Sequence, residues 1–127
     1  MAYDKIFPIW EILIVSQIGK IYIPAVQVIA QRPLRLFWEA HPEAETPLRT
    51  WFAVVEKANW SSPADIKAQF GTTVDFVADN RVIFDIGGNK YRLIVFVAYK
   101  AFRVLVKFVG THGEYDKIDP ITCELRK

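Results

Sequence analysis

The sequence predicts an α+β fold, with N-terminal helices packed on one face of a mainly antiparallel sheet. Three observations predict it. Residues 33–70 carry three helix start signals with apolar side chains at helical spacing. After Gly71 the hydrophobic period changes to two. The strands of that second half are joined by links too short for helical crossovers, so they form an antiparallel meander.

The elements follow in order. Val26-Gln-Val-Ile-Ala30 reads as a short strand stopped by Arg32-Pro33. Pro33 suits the first position of a helix, and Leu34, Phe37 and Trp38 share one face up to His41-Pro42. Thr46 offers a cap and Pro47 a first helical position; Leu48, Trp51, Phe52 and Val55 then recur at helical spacing until Asn59. Ser62-Pro-Ala-Asp65 resembles a capping box before a short helix that Gly71 ends. Arg81 to Ile86 alternates, Gly87-Gly88-Asn89 turns the chain, and Lys90 to Tyr99 alternates again. A reversal at Lys100-Ala101 leads into a strand from Phe102 to Val109. With Tyr99 opposite Phe102, Arg92 faces Val109 and Ile94 faces Lys107, which puts Arg92, Lys107 and Arg103 on one sheet face.

The chain has 127 residues, 52% of them hydrophobic, enough for one domain with a core that needs no staples. Cys123 is its only cysteine, which excludes a disulfide framework and a multi-cysteine metal site. It reads as a spare thiol near the chain end, consistent with a reducing cytoplasm. Only two histidines exist, His41 and His112, and no acid–His cluster accompanies either, so no metal centre and no cofactor is expected. His41 reads as a helix-end residue. The net charge of +2 excludes little, but its distribution is uneven. From Arg81 onward nine basic residues face five acidic ones, whereas the first eighty residues hold seven basic and nine acidic. The basic surplus falls on the predicted sheet, where a polyanion could lie along Lys90, Arg103 and Lys107; a solvated sheet face has the same charge pattern. Residues 6–25 are apolar, yet Glu11 and Lys20 interrupt them and Pro8 and Pro24 bracket them, so neither a membrane span nor a signal peptide is expected.

Chemistry concentrates in Gly110-Thr-His-Gly-Glu-Tyr-Asp116. Histidine exchanges a proton near neutral pH, so His112 is a candidate base. Tyr115 offers a hydroxyl donor, Asp116 an orienting or accepting carboxylate, and Arg92 a planar fork suited to phosphate. This set suits RNA cleavage by a ribose 2′-hydroxyl attacking its own phosphodiester, which needs a base, an acid and positive charge but no metal. Read alone, the same residues also fit a surface turn, a packed ring and a solvated strand.

Several separated stretches narrow the choice. Phe37-Trp-Glu-Ala-His-Pro42, Ser62-Pro-Ala-Asp-Ile-Lys67, Asn80-Arg-Val-Ile-Phe84, Ile86-Gly-Gly-Asn-Lys-Tyr-Arg-Leu93 and Phe108-Val-Gly-Thr-His-Gly-Glu-Tyr-Asp116 resemble HigB-type toxins of the RelE-like superfamily. The resemblance implies a compact RelE-like fold with a twisted sheet spanning 26–119, an extension at 1–25 and a tail at 120–127. It also implies an mRNA interferase: a cytoplasmic, metal-independent endoribonuclease acting on messenger RNA at the ribosome. The implied partner is a HigA-like antitoxin, which alone would contact DNA. Arg92 matches the strand arginine that such toxins direct at the scissile phosphate. His112 stands where relatives have arginine or histidine, and Tyr115 lies near a functional tyrosine. The strand lysines of RelE are missing, since Ile83 and Asp85 stand about there; His112 is then the base and Lys107 an auxiliary phosphate ligand. Residues 1–25 have no counterpart in the resemblance. Either the true start is a valine-encoding codon at Val26, or their apolar side chains add to the core or meet a partner. The alternative to an enzyme is a non-catalytic RNA- or ribosome-binding module, or a decayed toxin that only holds its antitoxin; a membrane-associated protein ranks third.

Overall fold

The computed structural model describes residues 27–29 and 31–125. The expectations placed on residues 1–25, and the ends of the first predicted strand, lie outside the described residues. Among the described residues five strands form one sheet: β1 (Gln27–Ile29), β2 (Val74–Val77), β3 (Arg81–Ile86), β4 (Tyr91–Ala98) and β5 (Arg103–Thr111), in the order β1-β5-β4-β3-β2. β1 runs parallel to β5, and every other pairing is antiparallel. Helices α1 (Gln31–Ala40), α2 (Glu45–Glu56) and α3 (Pro63–Phe70) precede the meander. The α+β reading therefore stands.

One sheet face and the helices make the core. Leu34, Leu48, Trp51, Val55 and Ile66 from the helices meet Val82, Phe84, Leu93, Val95, Val104 and Val106, all at most 3% exposed. Each such side chain contributes roughly 1.5–3 kcal/mol by leaving water. Because side chains alternate along a strand, the opposite face carries Arg81, Ile83 and Asp85 of β3 beside Arg92, Ile94 and Phe96 of β4. That second face is the one that carries the candidate site.

The structure corrects several local expectations. Thr46 does not cap α2; a 3-10 turn at Pro42–Ala44 runs straight into the helix, which begins at Glu45. Pro47 still sits in the first turn, where a missing N–H costs nothing. The Ser62 side chain makes no cap bond. Instead the Asp65 carboxylate accepts from the Ser61 backbone N–H at 2.8 Å and the Ser61 hydroxyl at 2.9 Å. These bonds hold the Asp65 carboxyl below its ordinary value of 3.8. Strand β2 had no counterpart in the sequence reading; it hairpins onto β3 through Asp79 and Asn80, both at positive φ (63° and 60°).

The β4–β5 register is the correction that matters most. Val95 to Ala98 pair with Val106 to Arg103 in the predicted register. From Ile94 back to Tyr91 the pairing is shifted by one residue: Ile94 faces Phe108, and Arg92 faces Gly110. Lys107 is the extra residue of the resulting β-bulge. Lys107 therefore does not oppose Ile94, and its direction is set by the bulge rather than by simple alternation. The hairpin tip is also broader than a two-residue reversal: Tyr99–Ala101 forms a 3-10 turn and Phe102 closes it in the left-handed region at φ 55°. A non-glycine residue there costs roughly 1–2 kcal/mol.

Candidate active site

β5 runs two residues beyond Val109 and ends in a short capped turn, α4 (His112–Tyr115). The cap is local and complete. The Thr111 hydroxyl accepts from Glu114 N–H at 3.1 Å, while the Glu114 carboxylate accepts from Thr111 N–H at 2.8 Å. Gly110 makes room for it, since a Cβ there would stand 2.5 Å from the Phe108 ring and 2.9 Å from Glu114 Oε1. The His112 N–H donates to Lys90 O at 3.0 Å and ties the turn to the start of β4.

This turn lies against Arg92. The guanidinium carbon stands 5.6 Å from the Tyr115 ring centroid, within cation–π range. Arg92 Nε meets Asp85 Oδ1 at 3.2 Å, the two residues being directly paired across β3 and β4. Nη1 donates to the carbonyls of Asn89 and Tyr91, each at 3.3 Å. Among the described residues Nη2 has no partner. The Arg92 side chain is 11% exposed, so its orientation is fixed by packing as well as by bonds.

Tyr115 in turn meets His112, with ring centroids 6.4 Å apart in an edge arrangement, and Phe108 at 6.5 Å. His112 Nδ1 lies 3.3 Å from Asp116 Oδ2, and the imidazole is 45% exposed. This puts the Asp116 carboxylate beside Nδ1, and the ring nitrogen away from it is Nε2. Thus Arg92, Tyr115, His112 and Asp116, named together as one set from the sequence, form one chain of contacts at one end of the sheet.

The three other basic candidates do not join them. Lys90 points to Glu43, its Nζ 3.3 Å from Oε1, with both side chains exposed. Lys107 Nζ meets Glu124 Oε1 at 2.9 Å. Arg103 opens β5 at the hairpin end, seven residues and roughly 23 Å along the strand from Gly110, the partner of Arg92.

Three residues that shape this face escaped the sequence reading. Asp85 was visible only as a residue standing where a lysine is usual. Arg81 and Glu124 gave no signal, because their ion pair (3.0 Å) joins residues 43 apart. Cys123, read as a spare thiol, is held in the same place: its carbonyl accepts from Arg81 Nη1 at 2.8 Å, and burial pushes its thiol up. His41 stacks on Phe37 at 4.4 Å, directly after α1. No described helix is long and apolar enough to cross a membrane.

Comparison with known proteins decides the family. The model of the HigB toxin, the RelE-like toxic component of a toxin–antitoxin system, matches residues 44–118, more than half of the chain. The chain belongs to the HigB toxin family. Two curated relatives agree. It is 26% identical over 94 residues to an mRNA interferase HigB of Escherichia coli O6:H1, covering 73% of this chain and 91% of that protein. It is 28% identical over 92 residues to the mRNA interferase toxin HigB of Escherichia coli K12, covering 72% and 88%. The matched segment of this HigB family member contains Arg92, His112, Tyr115 and Asp116 together with Asp85. It ends before the residues that carry Glu124.

Proposed function

We propose that this HigB family member is an endoribonuclease that cleaves messenger RNA without a metal ion and is held in check by a HigA-like antitoxin. The observation that carries the reading is the contact chain from Arg92 through Tyr115 to His112 and Asp116. It supplies the parts that internal transesterification requires. His112 Nε2 takes the proton of a ribose 2′-hydroxyl, with Asp116 fixing the ring from Nδ1. The 2′-oxygen bonds to phosphorus as the bond to the 5′-oxygen breaks, and the Tyr115 hydroxyl returns a proton to that leaving oxygen. The products are a 2′,3′-cyclic phosphate and a 5′-hydroxyl. Arg92 Nη2 faces the negative charge that builds on the phosphorane. Lys90, Lys107 and Arg103 are phosphate ligands for flanking nucleotides under this reading, at increasing distance from the scissile bond. The relatives' names as mRNA interferases support the substrate. Under this reading the chain acts at the ribosome in the cytoplasm and meets DNA only through the antitoxin.

The Arg92–Asp85 ion pair is the observation that favours a non-catalytic RNA- or ribosome-binding module, because Asp85 already balances the guanidinium's charge. The two readings differ in product. Purified chain mixed with RNA in the presence of a chelator gives new 5′-hydroxyl ends under the first reading. Retained but intact RNA supports the second.

A further inference from the structure

Glu124 has no part in the reaction just described, yet its surroundings are specific. Each carboxylate oxygen accepts from one cation: Oε1 from Lys107 Nζ at 2.9 Å, Oε2 from Arg81 Nη2 at 3.0 Å. The side chain itself is 61% exposed. The segment that carries it does not depend on it for attachment. Arg81, 8% exposed, donates from Nη1 to the carbonyls of Pro120 at 3.2 Å and Cys123 at 2.8 Å. Those backbone bonds pin the chain and leave the carboxylate aimed at Lys107.

Lys107 is the bulge residue of β5, and bulges re-aim side chains beside active sites. It lies three residues from Gly110, the partner of Arg92, or about 10 Å along the strand. A carboxylate that takes one charge-assisted hydrogen bond on each oxygen occupies a cationic site in the same pattern as two phosphate oxygens would. The hydrogen bond from Lys107 is the main reason the Glu124 carboxyl is held below the ordinary glutamate value, so the competing anion is present at neutral pH.

We infer that Glu124 is a built-in competitor for RNA: in the free protein its carboxylate occupies the place on Lys107 that a backbone phosphate takes when RNA binds. The inference rests on the RNA-cleaving reading and adds a regulatory element to the same face. Exchange needs only a side-chain rotation of an exposed residue. The phosphate then bonds to Lys107, Glu124 turns to solvent, and Arg81 keeps its two backbone carbonyls. The toxin thereby binds RNA less tightly than its basic residues alone would allow.

The test uses the full chain and a 2′-O-methyl oligoribonucleotide, which offers phosphates but no attacking hydroxyl. Its dissociation constant is measured across a salt series for the wild type, Glu124→Gln, Lys107→Gln and the double variant. Glu124→Gln is expected to bind about two- to fivefold tighter, the range of an exposed ion pair. Its logarithmic salt dependence should stay close to that of the wild type, because both complexes hold the same phosphate on Lys107, whereas that of Lys107→Gln should flatten by about 0.7, one phosphate contact fewer on a single strand. The gain should vanish in the Lys107→Gln background. Unchanged or weaker binding by Glu124→Gln overturns the inference, as does an equal gain with and without Lys107, while RNA binding by the wild type leaves the parent reading intact. Absence of binding by every variant removes the parent reading and the inference with it.

Discussion

Tyr115 stands between the two side chains on which the proposed chemistry depends, its ring centroid 5.6 Å from the Arg92 guanidinium carbon and 6.4 Å from the His112 ring. One aromatic ring thus sets the spacing between a strand residue and a residue of the capped turn after β5. The hydroxyl and the ring are separable. Tyr115→Phe keeps the packing and removes the proton donor, so single-turnover RNA cleavage should fall by roughly 10²-fold or more with thermal stability unchanged. Tyr115→Ala should fall further, because Arg92 and His112 both lose the surface they lie on.

His112 and Asp116 should differ in the size of their effects. His112→Ala removes the base and should lower cleavage by about 10²–10⁴-fold. Asp116→Asn should cost less, since the His112 N–H bond to Lys90 O still positions the turn. Comparing kcat and KM for the two variants checks this; an Asp116→Asn loss equal to that of His112→Ala contradicts an orienting role.

The elements that locate the site were legible because their signals are local. The Gly87-Gly88-Asn89 turn, the alternation of β4 and the spacing around His112 each depend on a few consecutive residues, and all three stand in the structure. His112, Tyr115 and Asp116 could be grouped for the same reason, whereas Arg92 joined them only through the expected pairing of β4 with β5. What was not legible depends on pairs distant in sequence or on single-residue irregularities. A bulge at Lys107 changes no residue pattern, yet it shifts Arg92 from Val109 to Gly110. Asp85 opposite Arg92 looked like a departure from the family, and only the pairing of β3 with β4 makes it the guanidinium's partner. Strand β2 follows a 3-10 turn and spans four residues, too few for alternation to declare itself.

Arg81 should control access to Cys123. The half-buried thiol is pushed up chiefly by burial, which outweighs the lowering effect of the neighbouring guanidinium. Arg81→Ala removes the donor to Pro120 O and Cys123 O and should release this segment. The thiol then returns toward its ordinary value of 9.0, its thiolate fraction at neutral pH rises, and reaction with a thiol reagent should accelerate. An unchanged rate contradicts the clamp.

Asp65 should make stability sensitive to acid. Its carboxyl is lowered on folding, so the stabilisation is complete above its ordinary value of 3.8 and is lost as pH falls through the lower folded value. Denaturant unfolding of the wild type should therefore weaken below pH 3.8 more steeply than that of Asp65→Asn. Parallel pH profiles would show that the Ser61 bonds add nothing to the folded state.

The most direct test of the account is the state of RNA ends after incubation with purified protein and chelator. Wild type should produce 5′-hydroxyl and 2′,3′-cyclic phosphate ends, and Arg92→Ala, folded to the same degree, should cut roughly 10²–10³-fold more slowly. Undiminished cutting by Arg92→Ala, or wild-type cutting that stops when the chelator is added, would contradict it.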